Sequence, residues 1–180
     1  MGLETEYSFC ALGLQGERLD QEESVDGLMH VARRELPHLR GRSDSDLYLA
    51  AGARFYVDCG LHPEWSTPEC SNPWDAIRHL KAGHSILTGL IGRLEGNRGI
   101  GEIFMGRCNV SYSGNATWGR HESYSYKGEF TTLAQLMIPF LVSRVIYHGA
   151  GGFSRSPGIH FTLSPRSGHI VHEVSGQSTD

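Results

Sequence analysis

Apolar and polar residues alternate along the stretch ARFYVD at positions 53–58. Successive side chains of a β-strand point to opposite faces of a sheet. One face of this stretch is therefore apolar and suits a core. The other face carries Arg54, Tyr56 and Asp58, which are a cation, a phenol and a carboxylate. A fold built on this strand must bury one side of a sheet and leave a chemically mixed side open.

Length and composition predict one soluble domain. The chain has 180 residues, of which 39% are hydrophobic and 20% charged, and this is enough for a sizeable core. The formal net charge of -4 does not show the excess of basic residues that is typical of nucleic-acid-binding proteins. No apolar run approaches the roughly 20 residues of a membrane helix, so no membrane partner is expected. The four cysteines form no CxxC pair, which favours a reduced, cytoplasmic protein without structural zinc.

The predicted elements are of mixed order and indicate an α+β fold. Asp20 is a suitable N-cap for a helix that ends near Leu36, and the run Asn72-Pro73 begins a second helix that ends near Leu94. A third helix is predicted over 132–148. Strands are predicted over 3–9, 53–58, 103–112, 122–126, 159–163 and 169–174. We expect an antiparallel or mixed sheet with helices packed on one face, in a domain that is one part of a larger protein.

Carboxylates recur on the polar sides of the predicted strands. If the strand at 3–9 lies beside the strand at 53–58, their polar faces coincide, and so many carboxylates cannot all stay ionised without a cation. Magnesium prefers oxygen ligands of this kind, and Arg54 would suit a nucleotide phosphate. The alternative is an ordinary polar sheet face that meets water. The residues concerned are Glu4, Glu6, Tyr56, Asp58, Glu64 and Glu69.

Five stretches stand in a fixed order along the chain: GLETEY, AGARFYVDCGLHPEWSTPEC, SYSGNATWGRHESY, IPFLVSRVIYHGAG and LSPRSGHIVHEVSGQST. They resemble the motifs of the Pup–protein ligase and Pup deamidase (depupylase) family, which is related to glutamine synthetase and other carboxylate–amine ligases. The second stretch resembles the most specific motif of that family, NGAR-aromatic-Y-x-D-x-G-x-HPEY-x-T-x-EC. The resemblance implies a glutamine synthetase-like α+β fold. It covers almost the whole chain, residues 1–180, as the N-terminal half of a catalytic domain.

The resemblance also implies roles for individual residues. Those matching family magnesium ligands are Glu4, Tyr56 and Glu64, the residue matching the catalytic base is Asp58, and those matching ATP contacts are Arg54 and Thr67. His121 matches a family histidine that would contact a second metal or a phosphate, with a hydrogen-bonded structural histidine as the alternative. Glu6 and Glu69 match family positions that would either bind the metal or support its ligands.

The reaction implied by the resemblance uses ATP and Mg²⁺. The γ-phosphoryl group passes to the C-terminal glutamate of the modifier protein Pup, and a lysine of a substrate protein attacks the resulting glutamyl phosphate. The product is an isopeptide-linked protein that is directed to the proteasome for degradation. Only the segment 7–53 separates the opening motif from the Arg-x-Tyr-x-Asp strand, whereas the deamidase branch carries a long insertion there, so ligase-type activity is favoured.

Other functions remain open at this point. The chain is alternatively a Pup deamidase or another carboxylate–amine ligase, or an inactive truncated homologue that acts as a binding module. The C-terminal half of the family, with its INTRDEPHAD-like run, has no counterpart in the 180 residues. A separate C-terminal half is therefore an expected partner, beside a Pup-like modifier and lysine-bearing substrates.

Overall fold

The computed structural model describes residues 1–96, 99–111, 116–154 and 160–173. The chain divides into two compact units, one formed by Met1–Arg107 with Arg120–Tyr124 and the other by Cys108–Gly119 with Ser125–Asp180. The strands are β1 (Gly2–Glu6), β2 (Ser8–Gly13), β3 (His38–Arg40), β4 (Asp46–Leu49), β5 (Arg54–Asp58), β6 (His62–Ser66), β7 (Ile100–Gly106), β8 (Arg120–Ser123), β9 (Gly152–Ser154) and β10 (His160–Thr162). The α-helices are α1 (Gln21–Glu35), α2 (Pro73–Glu95) and α3 (Phe130–His148).

The first unit is built on a six-stranded sheet. The strand order is β3-β4-β5-β6-β1-β8, and every neighbouring pair is antiparallel. A separate ribbon pairs β2 with β7. Strands and helices thus form an α+β fold, as the sequence predicts, and all the sheet pairs in the described residues are antiparallel.

Both helices of the first unit begin where their capping residues predict. The Asp20 side chain accepts a hydrogen bond from the Glu23 N–H, and the Asn72 side chain accepts one from the Asp75 N–H, which satisfies amides that the helix leaves unpaired. The helices contribute to one apolar core with Phe55 from the sheet. Its other members include Tyr7, Phe9, Val25, Leu28, Met29, Leu47, Trp65, Leu87, Leu90 and Leu94.

The predicted strand at 3–9 is two strands, with a break at Tyr7. The Tyr7 N–H donates to the carbonyl of Pro63 at 2.9 Å, but proline has no N–H to donate in return. The Tyr7 carbonyl instead accepts from Nδ1 of His62 at 3.1 Å. The ladder between β1 and β6 therefore ends, and the chain continues as β2 in the second sheet.

The second unit carries α3, whose apolar side chains lie on its surface. No residue of α3 is buried in the described structure. By length and composition α3 is capable of crossing a membrane, contrary to the expectation that no run is long enough. Helices of soluble cores meet the same criterion, so this is weak evidence for a membrane.

Later strand predictions are partly correct. The predicted strand at 103–112 is β7, which ends at Gly106, and the one at 122–126 is β8, which pairs with β1. The predicted strand at 159–163 is β10, described from His160 onward. The prediction of a strand at 169–174 is wrong for 169–173, where a 3-10 turn over Pro165–His169 is followed by irregular backbone. Residue 174 lies outside the described residues.

Helix α2 approaches the sheet at a glycine. A Cβ added to Gly83 would lie 2.5 Å from Nε1 and 2.6 Å from Cε2 of Trp65, a side chain that is only 2% exposed. We expect Gly83→Ala to lower the free energy of unfolding by about 1–3 kcal/mol, because overpacking outweighs the better helix propensity of alanine. Urea unfolding monitored by circular dichroism measures this change. The matched control is Gly89→Ala on the same helix, where nothing lies near the added Cβ and stability should be unchanged or slightly higher.

Candidate functional site

Cross-strand register aligns polar side chains in two rows on one face of the main sheet. Directly opposite residues of antiparallel strands share a face. The first row, read across β4, β5, β6 and β1, consists of Asp46, Tyr56, Glu64 and Glu6. The second row, read across β4, β5, β6, β1 and β8, consists of Tyr48, Arg54, Ser66, Glu4 and His121. Most of the predicted site residues are therefore together.

A further strand separates the two strands that carry most of the predicted residues. The sequence raised the case in which the strand of Glu4 and Glu6 lies directly beside the strand of Arg54 and Tyr56, but β6 lies between β1 and β5. The polar faces still coincide, because β6 pairs with both neighbours in register. As a result Glu64 occupies the middle of the first row, between Tyr56 and Glu6.

Tyr56 links the two rows through its hydroxyl group. The hydroxyl donates to Oε1 of Glu4 at 2.5 Å, and the same oxygen accepts from the hydroxyl of Ser66 at 2.6 Å. Burial and the hydrogen bonds to Glu4 and Glu64 raise the pKa of Tyr56 well above its ordinary value. The phenol is therefore neutral, and it holds the Glu4 carboxylate in place.

Glu6, Glu64 and His121 form the tightest group of potential metal ligands. One ligand atom from each lies within 4.8 Å of the others. Glu6 and Glu64 are 3% and 2% exposed, so their carboxylates are almost fully removed from water. Nε2 of His121 lies 3.9 Å from Oε2 of Glu6. The resemblance left Glu6 and His121 with alternative supporting or structural roles, whereas the geometry brings their ligand atoms close to those of Glu64.

Burial and, to a smaller extent, neighbouring carboxylates shift the pKa of Glu64. Burial raises the pKa of Glu64 to about 8, and the charges of Glu4, Glu6 and Asp58 add to the rise, against the hydrogen bond from Tyr56. A buried carboxyl with this pKa is largely protonated at neutral pH in the absence of a cation. The site thus favours any ligand that brings positive charge to Glu64.

Arg54 is held on the same face by an ion pair and two rings. Its Nε donates to Oδ1 of Asp46 at 2.7 Å, and its Cζ lies 3.9 Å from the ring centroid of Tyr56 and 5.4 Å from that of Tyr48. The hydrogen bond from Arg54 lowers the pKa of Asp46, so this carboxylate is charged at neutral pH. The Arg54 side chain is one-third exposed.

Asp58 lies at the end of β5, where the chain turns into β6. It is paired with His62 across the hairpin, and the turn between them contains Gly60 with φ 77° and Leu61 with φ 63°. The left-handed region is unusual for leucine. Leu61 packs against the core, and this contact helps to hold the turn and with it the position of Asp58.

Besides Asp58, two predicted site residues lie outside the rows, Thr67 and Glu69. The Thr67 hydroxyl accepts from the Leu3 N–H at 2.9 Å and donates to the Pro68 carbonyl at 3.1 Å, so it connects the ends of β6 and β1. Glu69 is exposed in the segment between β6 and α2. The roles that the sequence predicted for Thr67 and Glu69 stay predictions.

The sequence prediction did not include three members of the two rows, Asp46, Tyr48 and Ser66. No strand is predicted between those at 3–9 and 53–58, but residues 46–49 read DLYL, an alternation that places Asp46 and Tyr48 on one face. Ser66 follows from extending the same alternation along β6, two residues beyond Glu64. Both signals were present in the local pattern.

Comparisons with known proteins agree with the motifs. The family model described as "Pup-ligase protein" matches residues 1–180. The Pup–protein ligase of Nocardioides sp. (strain ATCC BAA-499 / JS614) is 38% identical over 185 residues, which cover 99% of this chain and 39% of that protein. The crystal structure of the complex between prokaryotic ubiquitin-like protein Pup and its ligase PafA matches with a TM-score of 0.75 and 26% identity, over 93% of this chain and 34% of that chain. The chain thus spans well under half the length of these relatives.

Proposed function

The chain belongs to the Pup-ligase protein family, and on this premise we propose that it supplies the ATP- and magnesium-binding sheet of an enzyme that ligates the C-terminal glutamate of Pup to substrate lysines. The observation that carries the proposal is the pair of polar rows on one sheet face, which joins Arg54, Tyr56, Glu64 and Glu4. These four residues are of the types expected for phosphate and magnesium contacts.

The residues of the site fit a divalent cation. Three ligand atoms of Glu6, Glu64 and His121 lie within 4.8 Å of one another. Burial and then the neighbouring carboxylates raise the pKa of Glu64, and a bound cation would offset both effects. We propose that these residues, with Glu4 and Tyr56, hold Mg²⁺. When bound, Mg²⁺ would neutralise charge on the nucleotide phosphates and orient the phosphoryl transfer.

Arg54 and Asp58 have separate roles in the proposed reaction. Arg54 binds a phosphate of ATP. A carboxylate oxygen of the Pup glutamate attacks the γ-phosphorus, and the bond to ADP breaks, which gives glutamyl phosphate. The substrate lysine then attacks the acyl carbon, a C–N bond forms and phosphate leaves. Asp58 accepts the proton that the lysine ammonium must lose, because only the neutral amine is a nucleophile.

We further propose that the rest of a ligase polypeptide completes this chain, whether it is continuous with it or separate. The chain spans 39% of its Nocardioides relative, and α3 has an apolar surface without buried residues. Contact with the remaining ligase segment would cover that surface. The complete assembly would be a soluble, cytoplasmic enzyme that binds Pup and lysine-bearing proteins.

Calorimetric titration of the chain with Mg-ATP tests the nucleotide site. We expect saturable binding, and Arg54→Ala should weaken it about 10- to 100-fold, since a hydrogen bond to a charged group contributes about 1.5–3 kcal/mol. Arg78→Ala is the control, because Arg78 forms an exposed ion pair with Asp75 on α2 and carries the same charge. Equal loss in both variants, or loss in neither, would contradict a phosphate contact at Arg54.

A further inference from the structure

Asp46 is a buried carboxylate that has no role in the proposed reaction. It is 4% exposed, and both of its oxygens are occupied. Oδ1 accepts from Nε of Arg54 at 2.7 Å, and Oδ2 accepts from the backbone N–H of Arg42 at 3.0 Å. The chain at Gly41 packs so closely on this carboxylate that it leaves no room for a Cβ. Asp46 is therefore fixed in orientation from two sides.

The guanidinium of Arg54 is fixed in turn. Its Nε is bound by Asp46, and its Cζ lies 3.9 Å from the ring centroid of Tyr56 and 5.4 Å from that of Tyr48. Among the residues that the structure describes, no hydrogen bond of its terminal nitrogens is found. Since the side chain is one-third exposed, these two nitrogens form a fork that is open to a ligand.

We infer that Asp46 is a positioning residue for nucleotide binding, which holds Nε of Arg54 so that the terminal nitrogens meet phosphate oxygens as a preformed fork. The inference rests on the proposed function, in which Arg54 contacts ATP. A planar guanidinium suits bidentate phosphate recognition, and a group ordered before binding loses less entropy on binding. Charge alone predicts the opposite effect, because a carboxylate near a polyphosphate repels it.

The positioning role and charge repulsion predict opposite changes in Mg-ATP affinity when Asp46 is neutralised, and the experiment measures this change. Mg-ATP affinity of the full chain is measured by calorimetry for Asp46→Asn and for the matched control Asp44→Asn. Asp44 is exposed and pairs with Arg40, so its replacement changes charge equally. We expect Asp46→Asn to weaken binding on the order of tenfold and Asp44→Asn to change it less than twofold. In an Arg54→Ala background, Asp46→Asn should have no further effect. Unchanged or tighter binding by a folded Asp46→Asn variant would overturn the inference.

The outcomes separate the two proposals. If Arg54→Ala weakens binding and Asp46→Asn does not, only the positioning role fails. If the unmodified chain binds no Mg-ATP, the proposed function fails and the positioning role falls with it. If Asp46→Asn does not fold, the positioning role is tested on the unmodified chain by ¹⁵N NMR. The Arg54 Nε–H signal is assigned by its loss in Arg54→Lys. This proton should exchange slowly with water, and its signal should shift when inorganic tripolyphosphate is added. Fast exchange and no shift would overturn the inference.

Discussion

Glu64→Gln should stabilise the metal-free chain at alkaline pH. In the folded protein the pKa of Glu64 is raised to about 8 from an ordinary value of 4.5, so the folded state holds a proton that the unfolded state releases. Stability therefore falls as pH rises between these two values, by about 1.4 kcal/mol per pH unit at the steepest. Glutamine carries no charge to bury. At about pH 9 the variant should exceed the parent by a few kcal/mol, and at about pH 4 the two should be alike.

Magnesium should offset the stability difference between the parent chain and Glu64→Gln at alkaline pH. A bound cation offsets the buried charge of Glu64, so it should raise the unfolding midpoint of the parent chain at alkaline pH and leave Glu64→Gln nearly unaffected. Urea unfolding with magnesium or with a chelator measures both effects. Glu102→Gln is the control, since Glu102 is exposed on β7 and its replacement should alter neither the pH slope nor the magnesium effect. A parent chain whose stability is flat between pH 5 and about pH 9 would contradict the buried carboxyl.

Local alternation predicted the polar face of β5 because one face of that strand is packed. Phe55 is fully buried and contacts Trp65 of β6, and this packing fixes Arg54 and Tyr56 on the opposite side. A register slip by one residue would exchange the two faces. Where a strand has a firmly packed face, its pattern in the sequence is a direct guide to its site residues.

The neighbours of each strand were not predictable from such patterns. The position of β6 between β5 and β1 depends on long-range pairing, which no short window contains. The break at Tyr7 depends on the missing N–H of Pro63, a residue that is distant in sequence. The run IVHEV is rich in β-branched residues, yet no strand pairs with residues 170–173 in the described structure. Strand propensity is realised only where a partner strand is available.

Asp58→Asn should separate the two steps of the proposed reaction. Asparagine cannot accept a proton, so lysine transfer should fall about 10²- to 10⁴-fold, while Mg-ATP affinity changes little because Arg54 and the metal ligands remain. The assay follows isopeptide formation between Pup and a lysine substrate, with the chain alone or together with the rest of a Pup-ligase polypeptide. Asp44→Asn, an exposed change of the same kind, should retain transfer.

Hydroxylamine distinguishes loss of the base from loss of the site. It is a neutral nucleophile at neutral pH and needs no group to remove a proton before it attacks glutamyl phosphate. Asp58→Asn should therefore still form the hydroxamate of the Pup glutamate at nearly the parental rate, although lysine transfer is lost. Glu64→Gln, which lacks a proposed metal ligand, should lose both products. If Asp58→Asn also fails to form the hydroxamate, Asp58 acts before or during phosphoryl transfer, and this result would contradict a role confined to accepting the lysine proton.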